Sequence, residues 1–282
     1  MKGIKKFIGI ALAVAIGTSG VLAQSVPVRA KTQAISISNV KNGKATLYTG
    51  QSLSLKTNYK ENQLTVSTSD NSVVSVKGIK ITGVNKGTAK VTVAVKSNTK
   101  VKKTITVKVV DRYITRKSDE GGNAVTEKYD RKTKKSTYTV AMTGTDNHSG
   151  LDINLKLSFV SKATNLMGTG CAGELSNGAG CVLRLYNITK SESYKPLIDF
   201  DKMSDNDLYK YYELTKEEIK QTKFTHNNTE AGYVLALSMP DEEDTYVDCL
   251  IKDDKETGTL YELVYKGSED PYTVYKSVKV LK

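Results

Sequence analysis

The sequence predicts a mainly β protein: a β-sandwich over residues 31–110, then a β-rich domain over residues 111–282 with one or two short helices, all behind a signal peptide at residues 1–30. Three observations predict it. Apolar residues recur with period two through most of the chain, the signature of strands. Short turns rich in Gly, Asn, Asp and Ser interrupt those runs. Composition then breaks sharply near Val110–Asp111. Only Tyr48 and Tyr59 of the sixteen tyrosines precede Asp111. Residues 31–110 hold fourteen Lys and no Arg against Glu61 and Asp70, a net of +12, whereas residues 111–282 hold 24 basic and 28 acidic side chains.

The chain opens MKGIKKFIGIALAVAIGTSGVLAQSVPVRA. Lys2, Lys5 and Lys6 form a basic n-region, Phe7 to Ile16 an apolar h-region, and small residues offer cleavage after Ala23 or after Ala30, the layout of a secretory signal. Gly17 to Gly20 interrupt the apolar run, which is too short to span a bilayer comfortably. The expectation is a protein exported to the outside or the cell wall and not integral to a membrane. The first cysteine is Cys171, so no lipid-modified cysteine follows the signal.

From Ala34 to Val110 the alternating pairs run Ile35/Ile37, Leu53/Leu55, Val74/Val76, Ile79/Ile81, Val91/Val93/Val95 and Ile105/Val107/Val109. Asn42-Gly43, Gly50, Ser69-Asp70-Asn71, Gly78, Gly83, Gly87 and Ser97-Asn98 separate them. Several short strands with no helix between them predict an antiparallel sandwich with a Val/Ile/Leu core.

The segments LYTGQSLSLKT, VSTSDNSVVSV, ITGVNKGTAKVTV and TITVKVV, in that order, resemble the bacterial immunoglobulin-like domain, group 2. The likeness covers residues 33–110 and departs at Val66, where the family often carries an aromatic. It implies an immunoglobulin-like sandwich of bacterial surface and secreted proteins, acting as a spacer or adhesion platform without catalytic residues. Alternation turns Lys90, Lys96, Lys102 and Lys108 outward. Such lysines solvate a sheet and blunt its edges, while the module's net charge also sets up a field that attracts anionic wall polymers or acidic glycans. Nucleic acid is not expected, since no aromatics interleave with the lysines for base stacking.

Beyond Asp111 the runs STYTVAM, LDINLKLSFV, CVLRLYNI, AGYVLALSM, TYVDCLIK, TLYELVYK and YTVYKSVKVL read as strands, with Tyr261, Leu263 and Tyr265 on one face. Helical character is confined to MSDNDLYKYYELTKEEIKQT. There Ser204 caps a helix running to about Glu213, and Thr215 with Glu218 forms a capping box for a second.

Chemistry-bearing residues are sparse. Cys171 and Cys181 either close a disulfide across the glycine-rich GTGCAGELSNGAGC, with Cys249 buried in YVDCLIK, or all three are reduced, buried thiols. His148 and His226 fall in polar, turn-like segments. Cys171, His148 and Arg184 together have the residue types of a thiol enzyme, in an order similar to that of sortases but without their flanking motif. Asp199, Asp201, Asp205 and Asp207 are dense oxygen donors of the kind calcium takes, though Asp205 and Asp207 also suit a helix start; Asp241 to Asp244 add a second acidic run. No cofactor motif is present. The expected function is a secreted or surface binding protein whose partner is a cell-wall polymer, a glycan or a surface protein, non-catalytic. The alternative is an envelope or glycan-acting hydrolase with the first module as accessory. Two carboxylates, or Cys171 and a histidine, meeting in a cleft of residues 111–282 would favour the alternative.

Overall fold

The computed structural model describes residues 33–240, 245–253 and 258–282; the expected signal peptide and the acidic run at 241–244 lie outside them. The protein is mainly β, with 52% of residues in strands and 12% in helices.

In the first module, β1 (Lys44–Tyr48), β3 (Leu64–Thr68), β6 (Gly87–Val95) and β7 (Asn98–Val110) form one sheet in the order β1-β7-β6-β3. β2 (Ser52–Ser54), β4 (Val74–Lys77) and β5 (Lys80–Gly83) form a second in the order β2-β5-β4. Period-two alternation puts Val91, Val93, Ile105, Val107 and Val109 of one sheet against Leu55, Val74 and Ile81 of the other, all buried. Val66 packs at the margin of this core. The sandwich is not wholly antiparallel: β1 runs parallel to β7, because the first strand covers the outer edge of the last after the chain has entered along the other sheet. Ile35 and Ile37 are buried as their spacing requires, yet they form no strand beyond an isolated bridge from Ile37 to Thr57.

The second region is a larger sandwich with its own core. β8 (Tyr113–Glu120), β9 (Asn123–Asp130), β10 (Lys135–Thr145) and β11 (Asp152–Ser161) make an antiparallel meander, closed at its far edge by β19 (Lys279–Val280). Facing it is a seven-stranded sheet of β12 (Met167–Gly168), β13 (Glu174–Ser176), β14 (Val182–Asn187), β15 (Lys223–Asn228), β16 (Gly232–Pro240), β17 (Thr245–Asp253) and β18 (Leu260–Lys266), in the order β12-β13-β14-β18-β17-β16-β15. Tyr138 stacks on Phe159 at 4.9 Å in the core between the sheets. Tyr261, Leu263 and Tyr265 point into it from β18, as their spacing predicts.

Between β14 and β15 the chain makes two 3-10 turns (Glu192–Leu197 and Phe200–Lys202) and two helices, α1 (Asp205–Tyr211) and α2 (Lys216–Gln221). Ser204 and Thr215 cap the helices with reciprocal boxes to Asp207 and Glu218. This insert lies on the outer face of the seven-stranded sheet, burying Leu197, Phe200 and Leu208 on Leu235, Leu250 and Leu260. The segment YTVYKSVKVL is not one strand. Asp270 caps α3 (Pro271–Tyr275), with Pro271 in the first turn, and only the last residues pair as β19. Fixed φ suits proline to a helix start, and this local preference overrides the alternation downstream.

Candidate functional site

The insert leaves one margin of the outer face uncovered, and the site is there. On the seven-stranded sheet, Tyr186 of β14 pairs with Glu262 of β18, and Glu262 in turn pairs with Leu250 of β17. Asp248 lies two residues along β17 on the same face. Tyr194, from the first 3-10 turn, comes down beside them.

A loop on the opposite side completes the cleft. Asp146, almost fully buried, accepts from the His148 N–H (2.9 Å), the Ser149 hydroxyl (2.7 Å) and the Asn187 N–H (3.0 Å). Burial pushes its carboxyl up, but these donors outweigh burial and hold it below the ordinary range. One carboxylate thereby ties the 146–150 loop to the end of β14 and sets the His148 ring edge-on to Tyr186, centroids 5.5 Å apart. The result is an open cleft of about 530 Å³, lined by His148, Tyr186, Lys190, Ser191, Tyr194 and Glu262 among others.

Behind Glu262 the outer face is polar, and Asp248 is buried in it. Asp248 is 4% exposed and accepts from the Cys249 N–H at 2.7 Å and from the Tyr246 hydroxyl at 3.4 Å. Burial first, and then the charge of Glu262, push its carboxyl up to about 6. Burial and the same two carboxylates push the Tyr194 hydroxyl well up. The buried Tyr212 hydroxyl has no hydrogen-bond partner among the described residues. Burial and a neighbouring like charge thus act together on Asp248, the two influences that most raise a carboxyl.

A second, smaller cleft of about 320 Å³ lies across His148 and Tyr186 from the first, lined by Cys171, Glu174 and Arg184. The structure therefore brings Cys171, His148 and Arg184 to one place, as the thiol-enzyme reading requires. Gly173 makes this approach feasible: at φ +74°, a Cβ there would sit 2.7 Å from the Leu185 carbonyl oxygen. Asn123 secures the same loop, donating to the Cys171 carbonyl at 2.8 Å and accepting from the Gly173 N–H at 3.0 Å. Two elements of a thiol enzyme are missing among the described residues, however. No hydrogen bond joins the Cys171 thiol to the His148 ring, and Arg184 is engaged by Glu174 at 2.6 Å.

Cys171 and Cys181 are not bonded to each other; Cys171 is an exposed free thiol and Cys181 a buried one. Cys249 is fully buried in β17, and burial pushes its thiol well up. His226 sits in β15 and not in a loop, its Nε2 2.9 Å from Asp205. The four aspartates weighed for calcium do not form a ligand set. Asp201 and Asp199 meet the ammonium of the buried Lys252 at 2.8 and 3.6 Å, Asp205 takes His226, and Asp207 closes the Ser204 capping box. The Lys252 ammonium takes the place of a cation between Asp199 and Asp201, and no cluster of three or more metal-ligating side chains occurs among the described residues.

Asp248, Glu262, Tyr186 and Tyr194 were not singled out from sequence. A signal existed: Asp248 and Glu262 are acids inside otherwise apolar strand runs, at outward positions.

The chain matches no known protein family and no curated protein.

Proposed function

We propose that this is a secreted or cell-surface binding protein in which residues 33–110 are an immunoglobulin-like spacer or adhesion module and residues 111–282 bind a glycan without transforming it. The observation that carries this reading is the cleft between the 146–150 loop and the insert. Tyr186 and Tyr194 offer aromatic faces to a sugar ring, while His148, Lys190, Ser191 and Glu262 offer donors and acceptors to its hydroxyls. Concave sites with a few convergent polar groups are where small ligands bind. The N-terminal sequence supports export. Glycan arrays and purified wall fractions probed with the full chain test the reading: retention is expected and Tyr186→Ala should weaken it about tenfold. Absence of retention on every glycan and wall fraction sinks it.

A second reading, hydrolysis of the bound glycan, is favoured by one observation: Glu262 lines the cleft with Asp248 buried beside it, and paired carboxylates in unlike environments are the machinery of glycoside cleavage. New reducing ends released from a retained glycan, and abolished by Glu262→Gln, would replace the non-catalytic reading with this one.

A further inference from the structure

The outer face of the first module's four-stranded sheet carries a single kind of chemistry. Over the paired stretches of β1, β3, β6 and β7, every residue turned outward is Lys, Thr or Ser apart from Ala94, Tyr48 and Val110. Lys44 and Lys90 flank Thr106 in one cross-strand row, and Lys108 stands in the next row between Thr46 and Thr88. Strand geometry places the Lys44 and Lys90 stems about 10 Å apart and the Lys108 row about 7 Å further along. The acids of the described module lie elsewhere: Glu61 accepts from the Ile79 N–H beside the other sheet, and Asp70 is held by Ser72 in the β3–β4 turn.

This surface continues past the module. Tyr48, outward on the same face, donates to the Arg131 carbonyl at 3.4 Å, and the Arg131 N–H donates to the Arg112 carbonyl at 3.0 Å. Those bonds seat the β9–β10 turn, DRKTKK, at the end of the lysine face, with Lys132, Lys134 and Lys135 exposed. Its single acid, Asp130, is already paired with Arg112 at 2.8 Å. A turn from the net-negative region thus extends the positive face of its neighbour.

We infer that this junction-spanning surface binds an extended, phosphodiester-linked polyanion. The charges on the sheet are ammonium groups, which act as point charges on single oxyanions. The sheet itself carries no arginine, whose fork grips carboxylates and phosphates alike; the one arginine of the turn set is Arg131. Hydroxyls alternate with the ammonium groups and supply a second donor to each phosphate. The sheet's rows repeat at fixed intervals along an extended ligand, and the sheet's outward face offers no aromatic but Tyr48, whose hydroxyl is bonded to Arg131, so a nucleic acid gains charge contacts there without stacking. The site is separate from the cleft of the second region and does not depend on its ligand.

Immobilised poly(glycerol phosphate), titrated with the full chain over a salt series, tests the proposal. Binding should weaken linearly on a log–log plot against salt, as counterion release requires. The set Lys44→Gln, Lys90→Gln, Lys108→Gln should lower affinity about tenfold or more and flatten that slope, and so should the set Arg131→Gln, Lys132→Gln, Lys134→Gln. The set Lys56→Gln, Lys77→Gln, Lys80→Gln, on the outer face of the other sheet, should leave both nearly unchanged. Equal losses from this last set would mean that net charge alone is responsible, and overturn the site. No loss from the turn set would overturn its extension across the junction. Equally tight binding to a sulfated glycan or polyglutamate would overturn the phosphodiester occupant, and tighter binding to single-stranded DNA than to poly(glycerol phosphate) would overturn a ligand without bases. All substituted side chains are on the surface, so unchanged unfolding midpoints separate lost binding from lost fold.

Discussion

The two sandwiches of this chain are built from the same periodicity but differ in what they bury. Every buried side chain of the described first module is apolar, whereas the second region buries Asn123, Glu127, Asp146, Asn187, Asp248, Lys252 and Glu269 alongside its apolar core. Glu127, fully buried, holds Arg116 at 2.7 Å and the Ser136 hydroxyl at 2.5 Å; Glu269 is bonded to Ser161 and to the Lys162 N–H. Burying a charge is costly unless it is paired and hydrogen-bonded, and these groups meet that condition through partners brought from other strands and loops. The comparison separates a module with a wholly apolar described core from a region that buries polar groups beside its own.

Because each sandwich has its own core, the largest test of the contrast is selective damage. Phe159, stacked on Tyr138 and 1% exposed, lies between the sheets of the second region. Phe159→Ala should cost about 3–5 kcal/mol through lost burial and the cavity left behind. Ile105→Val in the first module should cost about 0.5–1.5 kcal/mol. Urea unfolding followed by a tyrosine signal, which comes mainly from the second region, should shift for Phe159→Ala and stay in place for Ile105→Val. A common shift for both would show one cooperative unit where two are drawn here.

The next effect is a pH dependence that only the second region should show. The Asp248 carboxyl is raised to about 6 in the folded chain, against about 3.9 unfolded. Between these values the native state binds the proton that the unfolded state has released, so Asp248 makes stability fall as pH rises through that window. Measured against Asp248→Asn, which keeps the shape and an acceptor for the Cys249 N–H, the wild type should lose roughly 2 kcal/mol between pH 4 and pH 7. Identical pH profiles for the two proteins would remove the carboxylate patch from the account.

Legibility followed the same divide. In the first module Val91, Val93, Ile105, Val107 and Val109 were assigned inward by alternation alone; Ile35 and Ile37 read as a strand but pair only through one bridge, and the parallel placement of β1 was not legible, since it depends on which edge of a distant strand is free. In the second region the helices of the insert were legible because capping is local, with Ser204 to Asp207 and Thr215 to Glu218 three residues apart. Strand β8, YITRKSDE, escaped because an edge strand with one face in water carries little apolar alternation. The cleft escaped for a stronger reason. Tyr194 reaches Glu262 only after the insert folds back over strands that come later in the chain, and nothing local to either residue records that meeting. The convergence of Cys171, His148 and Arg184 was half-legible, in residue types but not in geometry.

Smaller effects sharpen the edges of the comparison. Ser204→Ala removes the N-cap of α1 and should cost about 1 kcal/mol; since α1 carries Leu208 onto the sheet, the loss should appear in the tyrosine-reported transition and leave the first module untouched. The subtlest prediction concerns the junction. Thr49 donates to the Val110 carbonyl at 3.0 Å and accepts, more weakly, from the Arg112 N–H at 3.4 Å. Arg112 then grips Asp130, whose carboxyl the guanidinium holds well below the usual range. These few contacts, with Tyr48 on Arg131 and Lys86 on Asp111 at 3.8 Å, are what orient one sandwich on the other. Asp130→Asn should therefore leave both unfolding transitions in place while broadening the distance distribution in solution scattering, and the wild type should keep its narrow distribution through the ordinary carboxylate range, because Asp130 takes up a proton only well below it. High salt should have less effect than the substitution, because a two-point hydrogen-bonded pair is screened less than separated surface charges. If salt alone reproduces the broadened distribution, the sandwiches are held by their opposite net charges and not by this pair.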